Sequence, residues 1–259
     1  MGFQDRDYYR NDPMTAGRRA GSMSAWTVNT WIIVINIAVY IVNALTMKSG
    51  RATALVDETG RIVALQPYEG LLYHWGYFSF DKAISQLQAW RFISFQFLHD
   101  PTTITHILFN MFALYMFGPF VESLLGRRRY LAFYLLCGIA GPIMYILIQA
   151  SHILPMERSV PLIGASAGVF GVLIATARIA PNAMIQLLFP PIPMKLKTFA
   201  WVMIGIAVFT VFTNGRNAGG EAAHLGGAAM GLWLISNPNV LNLAERLGGP
   251  RRPKMRITY

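Results

Sequence analysis

Six apolar runs, separated by polar or proline-containing segments, occupy most of the chain after residue 25. Runs of this length predict helices that cross most or all of the hydrocarbon core of a bilayer, which is about 30 Å thick. Pro181 ends the fourth run and Pro238 ends the sixth, because proline removes a helical hydrogen bond and clashes with the preceding turn. The predicted spans are residues 26–47, 103–125, 130–150, 166–180, 199–212 and 222–236.

The composition of the chain also indicates a membrane protein. Hydrophobic residues make up 54% of the chain and charged residues only 13%, whereas about 25% of the residues in a soluble domain are charged. The single cysteine, Cys137, excludes an internal disulfide and a multi-cysteine metal site. We therefore predict an all-α, six-helix membrane domain at 26–236, between a flexible polar tail at 1–25 and a basic tail at 237–259. No cleavable signal peptide is expected, because the first 25 residues are polar.

Loop charges predict the orientation of the helices. The amino tail, the loop at 126–129, the segment at 178–198 and the carboxyl tail carry four, three, three and five Lys or Arg residues, which is 15 of the 22 in the chain. The positive-inside rule therefore predicts that both tails are cytoplasmic. Because the net charge of +10 is concentrated on this side, we expect it to attract anionic lipid headgroups and not nucleic acid.

The segment at 48–102 is too long for a bare connector between two helices. Its aromatic residues are of the kind that sit at the interface between a membrane and water. The segment is therefore predicted to be a structured outer loop that is partly inserted in the membrane. The aromatic residues on which this prediction rests are Trp75, Tyr77, Phe78, Phe80 and Trp90.

Two polar side chains begin the fourth and sixth runs: Ser166 within Gly-Ala-Ser-Ala-Gly, and His224 within Ala-His-Leu-Gly-Gly. Ser166 lies 15 residues before Pro181 and His224 lies 14 residues before Pro238. At 1.5 Å per residue, both side chains are therefore roughly 21–23 Å from the cytoplasmic boundary and share one depth. Polar and ionisable groups at membrane depth are a functional hypothesis by default, and this pair suggests nucleophilic catalysis.

Small residues after both side chains predict that the two helices meet. Gly227 and Gly231 have the Gly-x-x-x-Gly spacing that lets helix backbones approach closely in lipid. A packing interface without chemistry is the alternative interpretation. The segments 151–165 and 213–221, which precede the two helices, should border a water-filled hollow open to the outside, because irregular backbone at this depth needs protein or water beside it.

A third pair of polar residues begins the second run. His106 and Asn110 are four residues apart, so they share one helix face. Asn110 lies 17 residues before Arg127, or about 25 Å from the cytoplasmic boundary, close to the depth of Ser166. The two side chains either bond neighbouring helices or donate hydrogen bonds to an oxyanion.

These residues resemble the rhomboid family of intramembrane serine proteases, over residues 90–231 and in a six-span frame with both tails inside. The residues that match, in chain order, are Trp90-Arg91, His106 and Asn110, then Gly118, Glu122 and Gly126, then Gly164-Ala165-Ser166, and finally Ala223, His224, Gly227 and Gly231. One departure is Ala167, because the family commonly has glycine directly after the nucleophile. A methyl group at this position is expected to be tolerated, although it could crowd the oxyanion pocket.

The resemblance implies a role for each residue of the site. Ser166 would be the nucleophile and His224 the general base, in a dyad without a third acid. Phe170 would stack on the imidazole, although a lipid-facing position is the alternative. The oxyanion hole would comprise the Ser166 backbone N–H, His106 and Asn110.

Glu122 and Arg91 are predicted to be structural. Glu122 is the only acid within a predicted span, and we expect it to act as a hydrogen-bond or ion-pair anchor. Arg91 should hold the outer loop in place. The motif His-Glu-x-x-His is absent from the sequence, so neither a metal nor another cofactor is expected.

The expected substrates are single-pass transmembrane proteins whose helix unwinds near the cleaved bond. The fifth span, at 199–212, resembles the lateral gate proposed for the family; an ordinary lipid-facing helix is the alternative. A proteolytically inactive rhomboid-like protein that binds membrane clients is the competing hypothesis. A third hypothesis, a small transporter or channel, would favour paired charges or broken helices at the midplane, and Glu122 alone is too little for it. A bacterial inner membrane is the expected location, with the site open to the outer side.

Overall fold

The computed structural model describes residues 26–46, 53–56, 62–66, 70–155, 158–186 and 191–243. The tail predicted at 1–25 lies outside these residues, as does the tail predicted at 237–259 apart from residues 237–243. In chain order, the main elements are α1 (Val28–Leu45), β1 (Thr53–Val56), β2 (Ile62–Gln66), α2 (Leu71–Gly76), α3 (Arg91–Ser94), α4 (Ile104–Leu125), α5 (Arg127–Ala150), α6 (Ser166–Ile179), β3 (Met184–Gln186), β4 (Pro193–Lys195), α7 (Leu196–Phe212) and α8 (Ala218–Ser236).

Each predicted span corresponds to one of the six long helices, α1 and α4 to α8. The largest difference is at α8, which begins four residues earlier than predicted, at Ala218. Among the described residues, α1, α4 and α5 are long and apolar enough to cross a membrane, whereas α6 and α7 are shorter apolar helices. The prediction of an all-α membrane bundle is confirmed.

Large aromatic side chains cover the outer surface of the bundle. Five such residues on α4 and α7 are 62–71% exposed, which suits contact with lipid tails and not with water. They are Phe109, Tyr115, Trp201, Phe209 and Phe212.

Helix α6 lies at the centre of the bundle, with 11 of its 14 residues buried. It packs against α4, α5, α7 and α8. A side chain at Gly227 of α8 would overlap the carbonyl oxygen of Ala167, and one at Gly231 would lie 2.5 Å from Cα of Gly171. Only glycine therefore permits this approach of α8 to α6, as the Gly-x-x-x-Gly spacing predicts.

The outer loop before α4 is structured, as predicted. β1 and β2 form an antiparallel pair, and α2, a π-helical turn at Asp81–Ser85, α3 and a 3₁₀ turn at Phe95–Phe97 follow. Buried Arg91 fastens the loop: its guanidinium donates to the carbonyl oxygens of Tyr77 and His74 at 2.6 and 3.0 Å, and to Gln88 Oε1 at 2.6 Å. Two of these donors thus fix backbone carbonyl groups at the end of α2, and the third binds a side chain in the turn before α3.

Glu122 stabilises the opposite end of the bundle. Its two carboxylate oxygens accept hydrogen bonds from the backbone N–H groups of Val28 and Asn29, both at 2.8 Å. The Asn29 side chain in turn accepts from the Tyr130 hydroxyl at 2.7 Å and donates to the Leu114 carbonyl oxygen at 2.9 Å. Glu122 therefore binds N–H groups at the start of α1 that have no partner within the helix, and it links α1 to α4 and α5.

Candidate active site

Ser166 is the first residue of α6, at the end of a tight turn. Gly164 has a φ of +126°, and a side chain there would come within 2.9 Å of His106 Nε2. The backbone N–H of Gly164 donates to the Phe95 carbonyl oxygen at 3.0 Å, and this hydrogen bond fixes the turn against the outer loop. As the first helical residue, Ser166 has a backbone N–H without an acceptor in the preceding helical turn, so this N–H can bind an anion.

Ser166 and His224 contact each other across the interface between α6 and α8. Ser166 Oγ and His224 Nε2 are 2.7 Å apart, although the two residues are 58 positions apart in the chain. Both residues are half-buried. The distance is within hydrogen-bond reach, which is the geometric requirement for a nucleophile and its base.

An aromatic ring holds the imidazole from one face. The rings of Phe170 and His224 are stacked, with centroids 4.2 Å apart and planes 11° from parallel. Phe170 follows Ser166 by one helical turn, so α6 presents both residues to the same ring. The alternative that Phe170 faces lipid is wrong, since only 7% of its surface is exposed.

Glu221, which the sequence analysis missed, contacts the other nitrogen of the imidazole. Its Oε2 lies 2.8 Å from His224 Nδ1. The expectation that no acid accompanies Ser166 and His224 is therefore wrong as far as contacts are concerned, because a carboxylate touches the imidazole. The residue was missed because the predicted helix began at 222, whereas α8 begins at Ala218 and places Glu221 one turn before His224.

The His106 ring lies against the turn at Gly164 that precedes Ser166. The edge of a second imidazole, that of His99, packs on it with centroids 5.0 Å apart. Burial, with a smaller contribution from His106, lowers the pKa of His99 to about 3, so this ring is neutral at physiological pH. Buried Asn110 donates through Nδ2 to the His106 carbonyl oxygen at 2.8 Å, and its carboxamide has a second N–H.

A cavity of about 270 Å³ adjoins the first turn of α8. Its walls come mainly from the segments 151–165 and 213–221, which the sequence analysis predicted to border a hollow. Tyr145 completes the lining on the α5 side. Neither Ser166 nor His224 lines the cavity directly, but Gly219 and Gly220, which immediately precede Glu221, do.

The described residues contain no group of three or more His, Cys, Asp or Glu side chains arranged to hold a metal ion. The side chains gathered at the site supply a hydroxyl, two imidazoles, a carboxylate and an amide.

Comparison with known proteins identifies the family to which this sequence belongs. The sequence profile of the Rhomboid domain matches residues 86–236. The chain belongs to the rhomboid family. The match includes every residue of the site described above, from Arg91 to Gly231.

Three curated rhomboid relatives show how much of the sequence is shared. The mitochondrial presenilin-associated rhomboid-like protein A of Danio rerio is 30% identical over 51% of this chain and 34% of its own length. The mitochondrial rhomboid protein 1 of Saccharomyces cerevisiae is 32% identical over 51% of this chain and 38% of its own length. Rhomboid-like protease 3 of Toxoplasma gondii is 27% identical over 79% of this chain and 66% of its own length. The chain thus spans about a third of the length of the mitochondrial relatives.

The position after Ser166, where the rhomboid pattern commonly has glycine, holds Ala167. The methyl group points to α5, because a side chain placed on Gly141 would lie 2.8 Å from it. Ala167 is buried at the junction of α5, α6 and α8. Its methyl group therefore occupies space that Gly141 leaves open.

Proposed function

We propose that this rhomboid protein is an intramembrane serine endopeptidase, which cleaves peptide bonds within or beside the transmembrane segment of single-pass membrane proteins. The observation that carries the proposal is the 2.7 Å contact between Ser166 Oγ and His224 Nε2, at the buried start of a central helix. A serine hydroxyl becomes a useful nucleophile only when an adjacent base accepts its proton.

In the first half of the reaction, Ser166 Oγ attacks the carbonyl carbon of the scissile bond while His224 Nε2 takes the hydroxyl proton. The resulting imidazolium gives this proton to the leaving amine, the C–N bond breaks, and an acyl-enzyme ester remains. In the second half, His224 takes a proton from water, the hydroxide attacks the ester, and Ser166 regains its proton. The products are a carboxylic acid and an amine, and the enzyme is unchanged.

The negative charge that develops on the carbonyl oxygen needs donors that are already in position. The Ser166 backbone N–H, the His106 ring and the second N–H of Asn110 are the proposed oxyanion hole. The contact between His106 and the Gly164 turn supports this assignment, since it puts the ring beside Ser166. The edge contact with His99 restricts the ring further.

Water and substrate are proposed to reach the site by different routes. The cavity between the segments before α6 and α8 offers a path for the water of deacylation, since polar residues such as Asn214 and Asn217 line it. The substrate helix would enter beside α7, the proposed lateral gate, whose Trp201 and Phe209 are exposed to lipid. The cleaved segment must be extended, so small or helix-breaking residues are expected near the bond.

The membrane and its sidedness are also part of the proposal. The excess of Lys and Arg in the tails and in the loops at 126–129 and 178–198 supports a cytoplasmic position for both tails. The site then opens to the outer side, in a bacterial inner membrane. Reporter fusions at either tail test the orientation: activity of an outer-side reporter at the carboxyl terminus would contradict it.

The deciding experiment measures both labelling and cleavage by the purified protein in detergent or liposomes. A fluorophosphonate probe should label the wild type and not Ser166→Ala, and a tagged single-pass reporter should be cut by the wild type alone. His224→Ala should abolish cleavage, whereas Ser123→Ala, which changes an exposed serine at the far end of α4, should have no effect. A wild type that neither reacts nor cleaves would identify the chain as a client-binding rhomboid without protease activity.

A further inference from the structure

The carboxylate of Glu221 and the hydroxyl of Ser166 bind opposite nitrogens of one imidazole. Glu221 Oε2 is 2.8 Å from His224 Nδ1, and Ser166 Oγ is 2.7 Å from His224 Nε2. Most of the surface of both His224 and Glu221 is withdrawn from solvent, with side chains 14% and 20% exposed. The three side chains form a continuous line of hydrogen-bonding groups from α6 to the first turn of α8.

We propose that Glu221 is a positioning residue that completes a Ser166–His224–Glu221 triad; this inference rests on the proposed protease function. An ionised carboxylate can only accept hydrogen bonds, so its contact requires the proton of the neutral imidazole to be on Nδ1. The lone pair on Nε2 is then directed at the Ser166 hydroxyl. The same carboxylate stabilises the imidazolium that forms when His224 accepts the serine proton.

Three contacts fix the imidazole in complementary ways. Phe170 stacks on its face at 4.2 Å and so limits tilting of the ring. Stacking alone does not determine which of the two nitrogens carries the proton of the neutral imidazole. The contact between Nδ1 and the Glu221 carboxylate does so, and it also disfavours a flip of the ring about the Cβ–Cγ bond, which would turn both nitrogens away from Glu221 and Ser166.

The start of α8 is built to hold Glu221 in this place. Asn217, directly before the helix, has a φ of +67° and so sets the first turn. A side chain on Gly219 would lie 2.9 Å from the ring of Tyr145, which shows how closely this turn packs on α5. Because α8 begins at Ala218, Glu221 and His224 lie in the same helix, three residues apart and therefore on the same face.

A purely structural role makes a different prediction. An acidic residue in the first turn of a helix is stabilised by the helix dipole wherever its side chain points. Neutralising such a residue lowers stability and leaves the rate constant of the folded enzyme unchanged. A triad role lowers kcat at nearly constant stability.

The kinetic test compares Glu221→Gln, Glu221→Asp and Glu221→Ala with the wild type on a single-pass reporter in liposomes. Neutralising the acid of a well-formed triad lowers kcat by about 10⁴-fold; since stacking on Phe170 also holds this ring, about a 10- to 100-fold loss is expected for Gln. KM should change less than about twofold and Tm should barely move. Asp, which keeps the charge on a shorter side chain, should restore part of the rate.

Asp81→Asn is the matched control, since this outer carboxylate pairs with Arg158 and takes no part in the site. It should retain wild-type kcat. A Glu221→Gln variant with wild-type kcat, or one that loses rate only in proportion to lost Tm, would overturn the triad while leaving the protease proposal intact.

A spectroscopic test does not depend on turnover. In a histidine-labelled sample, ¹⁵N NMR should show one strongly hydrogen-bonded Nδ1–H that is missing in His224→Ala and shifts upfield in Glu221→Gln. An unchanged signal in Glu221→Gln would overturn the contact. A wild type that shows this signal but cleaves nothing would instead overturn the proposed function, so the two failures are distinguishable.

Discussion

The carboxylates of Glu122 and Glu221 lie at opposite ends of the same bundle and have different kinds of partner. Glu122 is buried, and Glu221 is partly buried. Both oxygens of Glu122 accept from backbone N–H groups of α1, which never change their protonation. Glu221 binds one nitrogen of His224, a ring whose protonation must change in the proposed reaction. The comparison leads us to expect that an acid in this bundle serves stability when its partners are fixed donors, and catalysis when its partner exchanges a proton in the proposed reaction.

The two carboxylates also differ in how deeply their surroundings are buried. The region around Glu122 links α1, α4 and α5 through Asn29 and Tyr130, both of them buried. The region around Glu221 is only partly buried and adjoins a cavity. We therefore expect changes at the Glu122 end to alter the free energy of unfolding, and changes at the Ser166 end to alter the rate of the folded enzyme.

The largest effect should come from His106→Ala, at the catalytic end. Removing one donor from an oxyanion hole typically lowers kcat by about 100- to 1000-fold. Labelling by a fluorophosphonate should slow as well, while the thermal unfolding midpoint changes little. Reporter cleavage and unfolding of the same detergent sample measure both quantities.

His99→Ala is the companion variant, since the His99 and His106 rings pack edge to face with centroids 5.0 Å apart. Its loss of rate should be smaller than that of His106→Ala. Equal kcat in wild type and His106→Ala would show that the ring is a packing element and not an oxyanion donor.

The second effect should come from Glu122→Ala, at the structural end. The change leaves two backbone N–H groups of α1 without their charged acceptor, and each unsatisfied buried donor costs about 1–3 kcal/mol. The free energy of unfolding should fall by about 2–4 kcal/mol, while kcat of the remaining folded protein stays near the wild-type value. Unfolding in mixed micelles with increasing SDS measures the change.

Glu122→Gln separates the roles of charge and of hydrogen bonding. The amide keeps one acceptor oxygen but places an N–H₂ group against a donor, so its loss of stability should approach that of alanine. A variant that unfolds like the wild type but cleaves much more slowly would reverse the proposed division between the two ends.

The sequence was sufficient to predict much of this comparison, because its strongest signals are local. Apolar run length and the positions of proline located all six helices, and the equal depth of Ser166 and His224 anticipated their contact. The first turn of α8 was missed because the predicted helix began at 222, and Gly219 and Gly220 have low helix propensity. In the structure this turn is helical and packs on α5, where a side chain on Gly219 would lie 2.9 Å from the ring of Tyr145.

Contacts between residues that are far apart in the chain could not be predicted from the sequence either. The sequence around Glu122 does not indicate that its carboxylate oxygens accept from the N–H groups of Val28 and Asn29, which are 94 and 93 positions earlier in the chain. The direction of the Ala167 methyl group depends on how α6 is rotated against α5, which small residues on both helices determine jointly. Periodicity along one helix does not contain that rotation.

The smallest effect should come from Ala167→Gly, which restores the common rhomboid pattern. The methyl group packs toward Gly141, so its removal should change kcat by less than about twofold. Glycine within a helix costs about 0.5–1 kcal/mol relative to alanine, so the variant should be slightly less stable. A large gain in kcat would show that the methyl group obstructs the oxyanion pocket, and that this chain accepts a slower reaction in exchange for tighter packing of α6 on α5.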